Sequence, residues 1–163
     1  MSHQPVIDGF EFASAGATQE GRLPLSAFPR LQDVLASDSG EIEYKLRGVR
    51  DERGRPGLEL DVHGTLPLRC QRCLERLAFE VDAHELLVLA SSQAEIAAER
   101  DDAEAPDTVL GAKEMAVRDL VEDELLLALP YAPRHEDCEA PEGGDDARTS
   151  PFAALRGMME RKH

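Results

Sequence analysis

Leu66-Pro67-Leu68-Arg69-Cys70-Gln71-Arg72-Cys73-Leu74 decides how the rest of the chain is arranged. Apolar residues lead up to two cysteines two residues apart, so the stretch reads as a β-strand running into a tight turn that carries two thiols. The third and last cysteine, Cys138, lies far downstream with His135 just before it. The resulting C-x2-C…H-x2-C pattern uses every cysteine in the chain. It predicts a tetrahedral zinc clasp of Cys70, Cys73, His135 and Cys138, tying the middle of the chain to the segment after its last long helix. Arg69 and Arg72 would offset thiolate charge. Two other readings stay open. One is redox use of the CxxC, although no βαβ pattern surrounds it and it lacks an aromatic or proline neighbour of the thioredoxin kind. The other is idle or buried thiols, with His135 a surface imidazole.

Working outward, Leu58, Leu60, Val62, Leu66 and Leu68 alternate toward the cysteines, with Gly64 an expected bulge or twist point. Before them, Ile42, Tyr44 and Leu46 alternate with Glu43, Lys45 and Arg47, and the Asp51–Gly57 stretch is a Gly/Pro turn, so the two runs form an antiparallel hairpin. After the cysteines, Leu77, Phe79 and Val81 alternate and Glu85 to Ala90 makes a more buried strand. The sheet is thus a meander of three or four antiparallel strands. Toward the N-terminus, Val6, Ile7, Phe10 and Phe12 read as a short strand followed by a loop. Ser26 as N-cap with Pro29 in the first turn predicts a helix from about Ala27 to Ala36, with Phe28, Leu31, Val34 and Leu35 on one face. Ser91 to Asp107 is an acidic surface loop or short helix. Lys113 to Leu129 is the long helix, striped by Val117, Leu120, Val121 and Leu125 and stopped by Pro130 and Pro133; Leu126, Leu127 and Leu129 suggest a more completely buried end. Fold class is therefore α+β. One domain spans 1–138, a disordered acidic linker 139–150 (EAPEGGDDARTS), and a short terminal helix 151–163 that docks on this domain or on a partner.

The 163 residues include 42% hydrophobic but only 4% aromatic ones, with no Trp, so the core is aliphatic. No apolar run approaches the roughly 20 residues of a membrane helix. With no secretory pattern at the N-terminus and an odd cysteine count, a reducing, cytoplasmic setting is expected. The net charge is −15, but it is unevenly spread. Tyr44 to Phe79 carries eight Lys/Arg (Lys45, Arg47, Arg50, Arg53, Arg55, Arg69, Arg72, Arg76) against five acids, whereas Glu80 to Asp146 carries twenty acids against four basic residues. Such a chain could hold a phosphate backbone with its basic centre and a basic protein with its acidic half. The eight cations are the candidate RNA contacts. Tyr44 points inward by alternation, so backbone contact rather than base readout is expected; a simply solvated sheet face remains the plainer reading. No P-loop, GxGxxG, HExxH or GxSxG occurs, and four protein ligands would leave a zinc no open position, so catalysis is not expected.

Three stretches together resemble the bacterial YceD family, the large ribosomal RNA subunit accumulation proteins. They are Leu68-Arg69-Cys70-Gln71-Arg72-Cys73-Leu74; Asp119-Leu120-Val121-Glu122-Asp123-Glu124-Leu125-Leu126-Leu127-Ala128-Leu129-Pro130 with Pro133, His135 and Cys138; and Ser150-Pro151-Phe152-Ala153-Ala154-Leu155. They occur in the family's order from mid-chain to C-terminus, while the first third fits only in general pattern. The resemblance implies a part in synthesis, processing or stability of 23S ribosomal RNA. With the basic centre and the lack of catalytic motifs, the expectation is a non-enzymatic factor that binds large-subunit rRNA, its precursor or an early assembly intermediate. An alternative is an acidic adaptor that binds a basic ribosomal protein without touching RNA; a third is a thiol oxidoreductase. Neither a membrane nor a small-molecule substrate is expected as partner.

Overall fold

Strand β4 (Pro56–Arg69) and strand β5 (Arg76–Ala90), the two longest elements among the described residues, flank the CxxC turn. They pair antiparallel without interruption from Gly57↔Val88 to Arg69↔Arg76, so the knuckle residues Cys70 to Glu75 are the turn of a long hairpin. The computed structural model describes residues 5–99 and 105–141. Strand β3 (Glu41–Arg50) pairs with the other edge of β4, and β2 (Thr18–Pro24) with the outer edge of β3. The four strands form an antiparallel meander, in which the runs over 77–81 and 85–90 are one strand, β5. A fifth, β6 (Asp107–Leu110), adds to β5 in parallel after a short helix α2 (Gln93–Ala98), giving the order β2-β3-β4-β5-β6. The register runs unbroken through Gly64 on both sides, so the bulge expected there is absent.

Alternation sorts the sheet into two faces. Ile42, Tyr44, Leu46, Leu58, Leu60, Val62, Leu66, Leu68, Val81, Leu87 and Leu89 form one buried layer, aliphatic except for Tyr44. Helix α1 (Gly9–Ala15) crosses β3 and β4 on that side, and helix α3 (Val117–Ala128) packs against β4 and β5. A two-stranded ribbon, β1 (Val6–Ile7) with β7 (Met115–Ala116), joins the N-terminal segment to the start of α3. The fold is α+β, with α1 and α3 on one face of the sheet.

Three local expectations are corrected. The segment after Ile7 is helix α1 rather than more strand and loop. Asp8 caps it by accepting from the Glu11 N–H at 3.0 Å, and Gly16 ends it in the left-handed conformation. The loop expected after it is the edge strand β2. The helix expected over Ala27–Ala36 is two 3₁₀ turns, Leu25–Ala27 and Pro29–Leu31. Pro29 holds Phe28 extended between them, which breaks the helix while leaving Leu25, Phe28 and Leu31 wholly buried. The last turn of α3 is also wetter than expected: Leu127 is 72% exposed. The linker and terminal helix expected over 139–150 and 151–163 lie, from residue 142 onward, outside the described residues.

The second 3₁₀ turn is bolted to α3 by charge. Glu122, only 1% exposed, accepts the backbone N–H of Arg30 at 2.7 Å and its Nε at 2.9 Å, while Asp123 takes Nη1 at 2.6 Å. These bonds, with Asp123 first, raise the pKa of the Arg30 guanidinium. Glu122→Ala removes the charged acceptor of two Arg30 contacts, leaving the Arg30 N–H without its partner, and is expected to cost about 1–3 kcal/mol, whereas Glu122→Gln, which keeps an acceptor, recovers part of it. Urea unfolding with an unchanged m-value checks this.

Candidate metal centre

The knuckle's shape comes from backbone bonds around Cys70. Its N–H donates to Glu75 O at 2.9 Å and its carbonyl accepts from Leu74 N–H at 3.0 Å. Leu74 takes the left-handed conformation, φ 65°, that closes the turn. Gln71 N–H then donates to Pro133 O at 2.8 Å, which draws the segment after α3 across the hairpin end. The two prolines after Leu129 stop α3 and turn this segment back toward the knuckle.

That crossing brings all four predicted ligands together. One donor atom from each of Cys70, Cys73, His135 and Cys138 lies within 4.8 Å of every other. Cys70 Sγ is 3.7 Å from Cys138 Sγ, and Cys73 Sγ is 3.3 Å from His135 Nδ1. A tetrahedral ion ~2.3 Å from sulfur and ~2.0 Å from nitrogen sets these edges near ~3.8 and ~3.5 Å. The three thiols are free, Cys70 buried and the others half-buried. His135 Nε2 lies 3.0 Å from Arg76 O. A proton on Nε2 donates to that carbonyl and leaves the Nδ1 lone pair facing the thiols, the outer-shell support that metal-binding histidines ordinarily have. The cluster could therefore hold a metal ion, and all four positions would be filled by protein.

Burial opposes ionisation of Cys70, but its sulfur faces the backbone N–H groups of Cys73, Arg72 and His135 and the Cys73 side chain, and its pKa is lowered to about 5. Burial, with Cys70 and Cys73 close by, raises that of Cys138. Because Cys70's folded value lies below its ordinary one, its contribution to stability in the metal-free chain is complete above the unfolded thiol value of ~8.5 and is lost as pH falls through about 5. Thiolate absorbance of the metal-free chain is therefore expected to show one early step near pH 5. A single transition at the ordinary thiol value would refute it.

The candidate RNA contacts divide into two groups. In the hairpin, Arg47 pairs with Glu59 across the strands, Arg55 with Asp51 and Glu99, and Arg50 donates to the Gly54 carbonyl. Lys45 is exposed, but its neighbours in register are Glu20 and Asp61. The middle of the open sheet face is acidic: Glu20, Glu43, Glu59, Asp61, Glu80 and Asp82 are interspersed with Arg22, Lys45 and Arg47. His84 sits there between Asp61 and Glu59, and its bond to Asp61 at 2.6 Å raises its pKa. The second group lies at the clasp. Arg69 and Arg76 face each other as the last rung of the β4–β5 ladder, both exposed, and Arg72 sits in the knuckle with its Nη1 donating to Cys138 O at 3.0 Å. Among the described residues neither Arg69 nor Arg76 has an ion-pair partner. Sequence reasoning passed over Tyr131, which is fully exposed in the crossing segment; its place between Pro130 and Pro133 was the available signal.

A family model described as "Large ribosomal RNA subunit accumulation protein YceD" matches residues 58–158. The chain belongs to the YceD family. Membership gives it a role in accumulation of large-subunit ribosomal RNA. The match begins in β4, so it takes in the knuckle, α3 and the His135–Cys138 segment, and leaves out β3 and the Asp51–Gly57 turn. No curated protein and no solved structure matches the chain. No helix among the described residues is long and apolar enough to cross a membrane.

Proposed function

We propose that this YceD protein is a non-catalytic, cytoplasmic factor of ribosome biogenesis. It acts in synthesis, processing or stability of 23S rRNA by binding that RNA, its precursor or an early large-subunit intermediate, and zinc pins its fold. The observation that carries the reading is that the family match covers the ligand cluster together with Arg69 and Arg76, the exposed arginine rung beside it. Three thiolates and one imidazole in a tetrahedron favour zinc over harder cations. A fully protein-ligated ion has no site for water or substrate, which supports a structural rather than a hydrolytic role. Metal analysis of the purified chain should return one zinc per chain. Crosslinking in cells should recover large-subunit rRNA, and affinity for a precursor transcript should fall linearly in log–log form as salt rises. Salt-independent binding, or none, rejects RNA contact.

The acidic sheet face favours a second reading, an adaptor for a basic ribosomal protein. In that case capture of the ribosomal protein persists after the RNA is digested, and Arg69 and Arg76 can be neutralised without effect.

A further inference from the structure

Like charges directly opposite on a sheet repel and are destabilising. Arg69 and Arg76 hold such positions at the end of a long ladder, exposed and without an ion-pair partner among the described residues. We infer that this rung, together with Arg72 and Tyr131, is a grip for single-stranded RNA, with the arginines on successive phosphates and the tyrosine ring under a base. The inference rests on the RNA-binding reading above and places the contact at the clasp rather than along the β3–β4 hairpin. A cationic groove flanked by an exposed aromatic is the ordinary means of holding single strands without sequence readout. Across the rest of the open face, Glu59, Asp61, Glu80 and Asp82 repel phosphate and confine the strand to this end.

The grip is wired to the ligand cluster. Arg76 O accepts from His135 Nε2–H, Arg72 N–H points at Cys70 Sγ at 3.4 Å, Arg72 Nη1 holds Cys138 O, and Arg69 is peptide-bonded to Cys70. The Gln71–Pro133 bond ties the segment that carries Tyr131 to the knuckle. A bound divalent ion also cancels part of the thiolate charge that would otherwise draw the guanidinium groups inward. Metal and RNA therefore favour the same arrangement, and by linkage each strengthens binding of the other.

The test uses the full 163-residue chain, zinc-loaded, with poly(U) RNA as probe across a salt series. Replacing both arginines (Arg69→Gln with Arg76→Gln) is expected to lower the salt slope by about 1.4, or about 0.7 for each single-strand phosphate that is no longer neutralised. Tyr131→Ala is expected to weaken binding about tenfold with the slope unchanged. Lys45→Gln with Arg53→Gln should leave both unchanged. RNA should slow extraction of zinc by a chelator from the wild-type chain and not from the double arginine variant. A wild-type slope in the Arg69/Arg76 variant overturns the grip while leaving RNA binding itself standing. An equal drop in the Lys45/Arg53 variant overturns its location, undiminished binding by Tyr131→Ala removes the stacking contact, and extraction indifferent to RNA removes the coupling. Failure of the wild-type chain to bind poly(U) or a precursor transcript at any salt overturns the underlying reading as well.

Discussion

Cys138→Ala is expected to release the metal and to free the whole segment beyond Pro130 from the hairpin end. Cys138 lies 68 residues from Cys70 in sequence and touches it in space, so its thiol closes the longest tether at the clasp. At free zinc a thousandfold above Kd, binding stabilises the folded chain by about 4 kcal/mol. Loss of that contribution should lower Tm by roughly 8–16 °C, at about 2–4 °C per kcal/mol for a domain of this size. The variant should also lose the zinc-dependence of Tm that is expected of the wild-type chain. An unchanged Tm, still rising with added zinc, would mean that the four side chains are not a binding set. His135→Ala should behave similarly. Arg76 offers only a carbonyl to that ring, so Arg76→Gln keeps the bond and the metal.

Gly48→Ala is expected to do comparable damage without touching the metal. A Cβ at Gly48 would overlap the carbonyl oxygen of Phe12 and lie 2.8 Å from Ala13 Cα, all backbone of α1. No side-chain rotation relieves such a clash; α1 has to lift off β3, and with it goes the bond from Gly48 N–H to Ala17 O at 2.8 Å. Overpacking against fixed backbone costs typically 1–3 kcal/mol, and here the upper end or beyond is expected. The denaturation midpoint should fall while zinc stoichiometry stays at one. Gly54→Ala probes a different constraint: it lies in the hairpin turn at φ 77° with open space around it, so its cost is confined to left-handed strain, about 1 kcal/mol.

Where the sequence is legible, one physical signal dominates. Alternation in 41–50 and 58–68 locates β3 and β4 because one face of each is buried and the other wet. The ligand set is legible because thiol and imidazole donors are rare and their spacing is constrained by the ion. The N-terminal region misleads because two signals compete there. Phe10 and Phe12 alternate as in a strand, yet both belong to a capped helix, and the Asp8…Glu11 pair with Gly16 is the better guide. Pro29 reads as a helix starter, whereas it separates two 3₁₀ turns. Strand β6 leaves no periodic trace: only four residues long, it owes its conformation to the β5 edge it joins. Charge is the least legible property. Sequence counting sets Arg47 and Arg55 beside Arg69 and Arg76, but only the fold shows that the first two face carboxylates across neighbouring elements and the last two face each other. Glu122 is likewise one of several acids along α3 until packing places it under Arg30.

The separation between the two halves of the clasp has a consequence for how the protein is made. A ribosome adding about 5–20 residues per second takes roughly 3–14 s to pass from Cys70 to Cys138. Throughout that interval the nascent hairpin carries two thiols whose partners do not yet exist. An ion met early can be held only by half a shell, and an oxidant met early finds Cys73 uncovered. On the zinc-bound reading proposed above, a full set of four ligands exists only once Cys138 has been added.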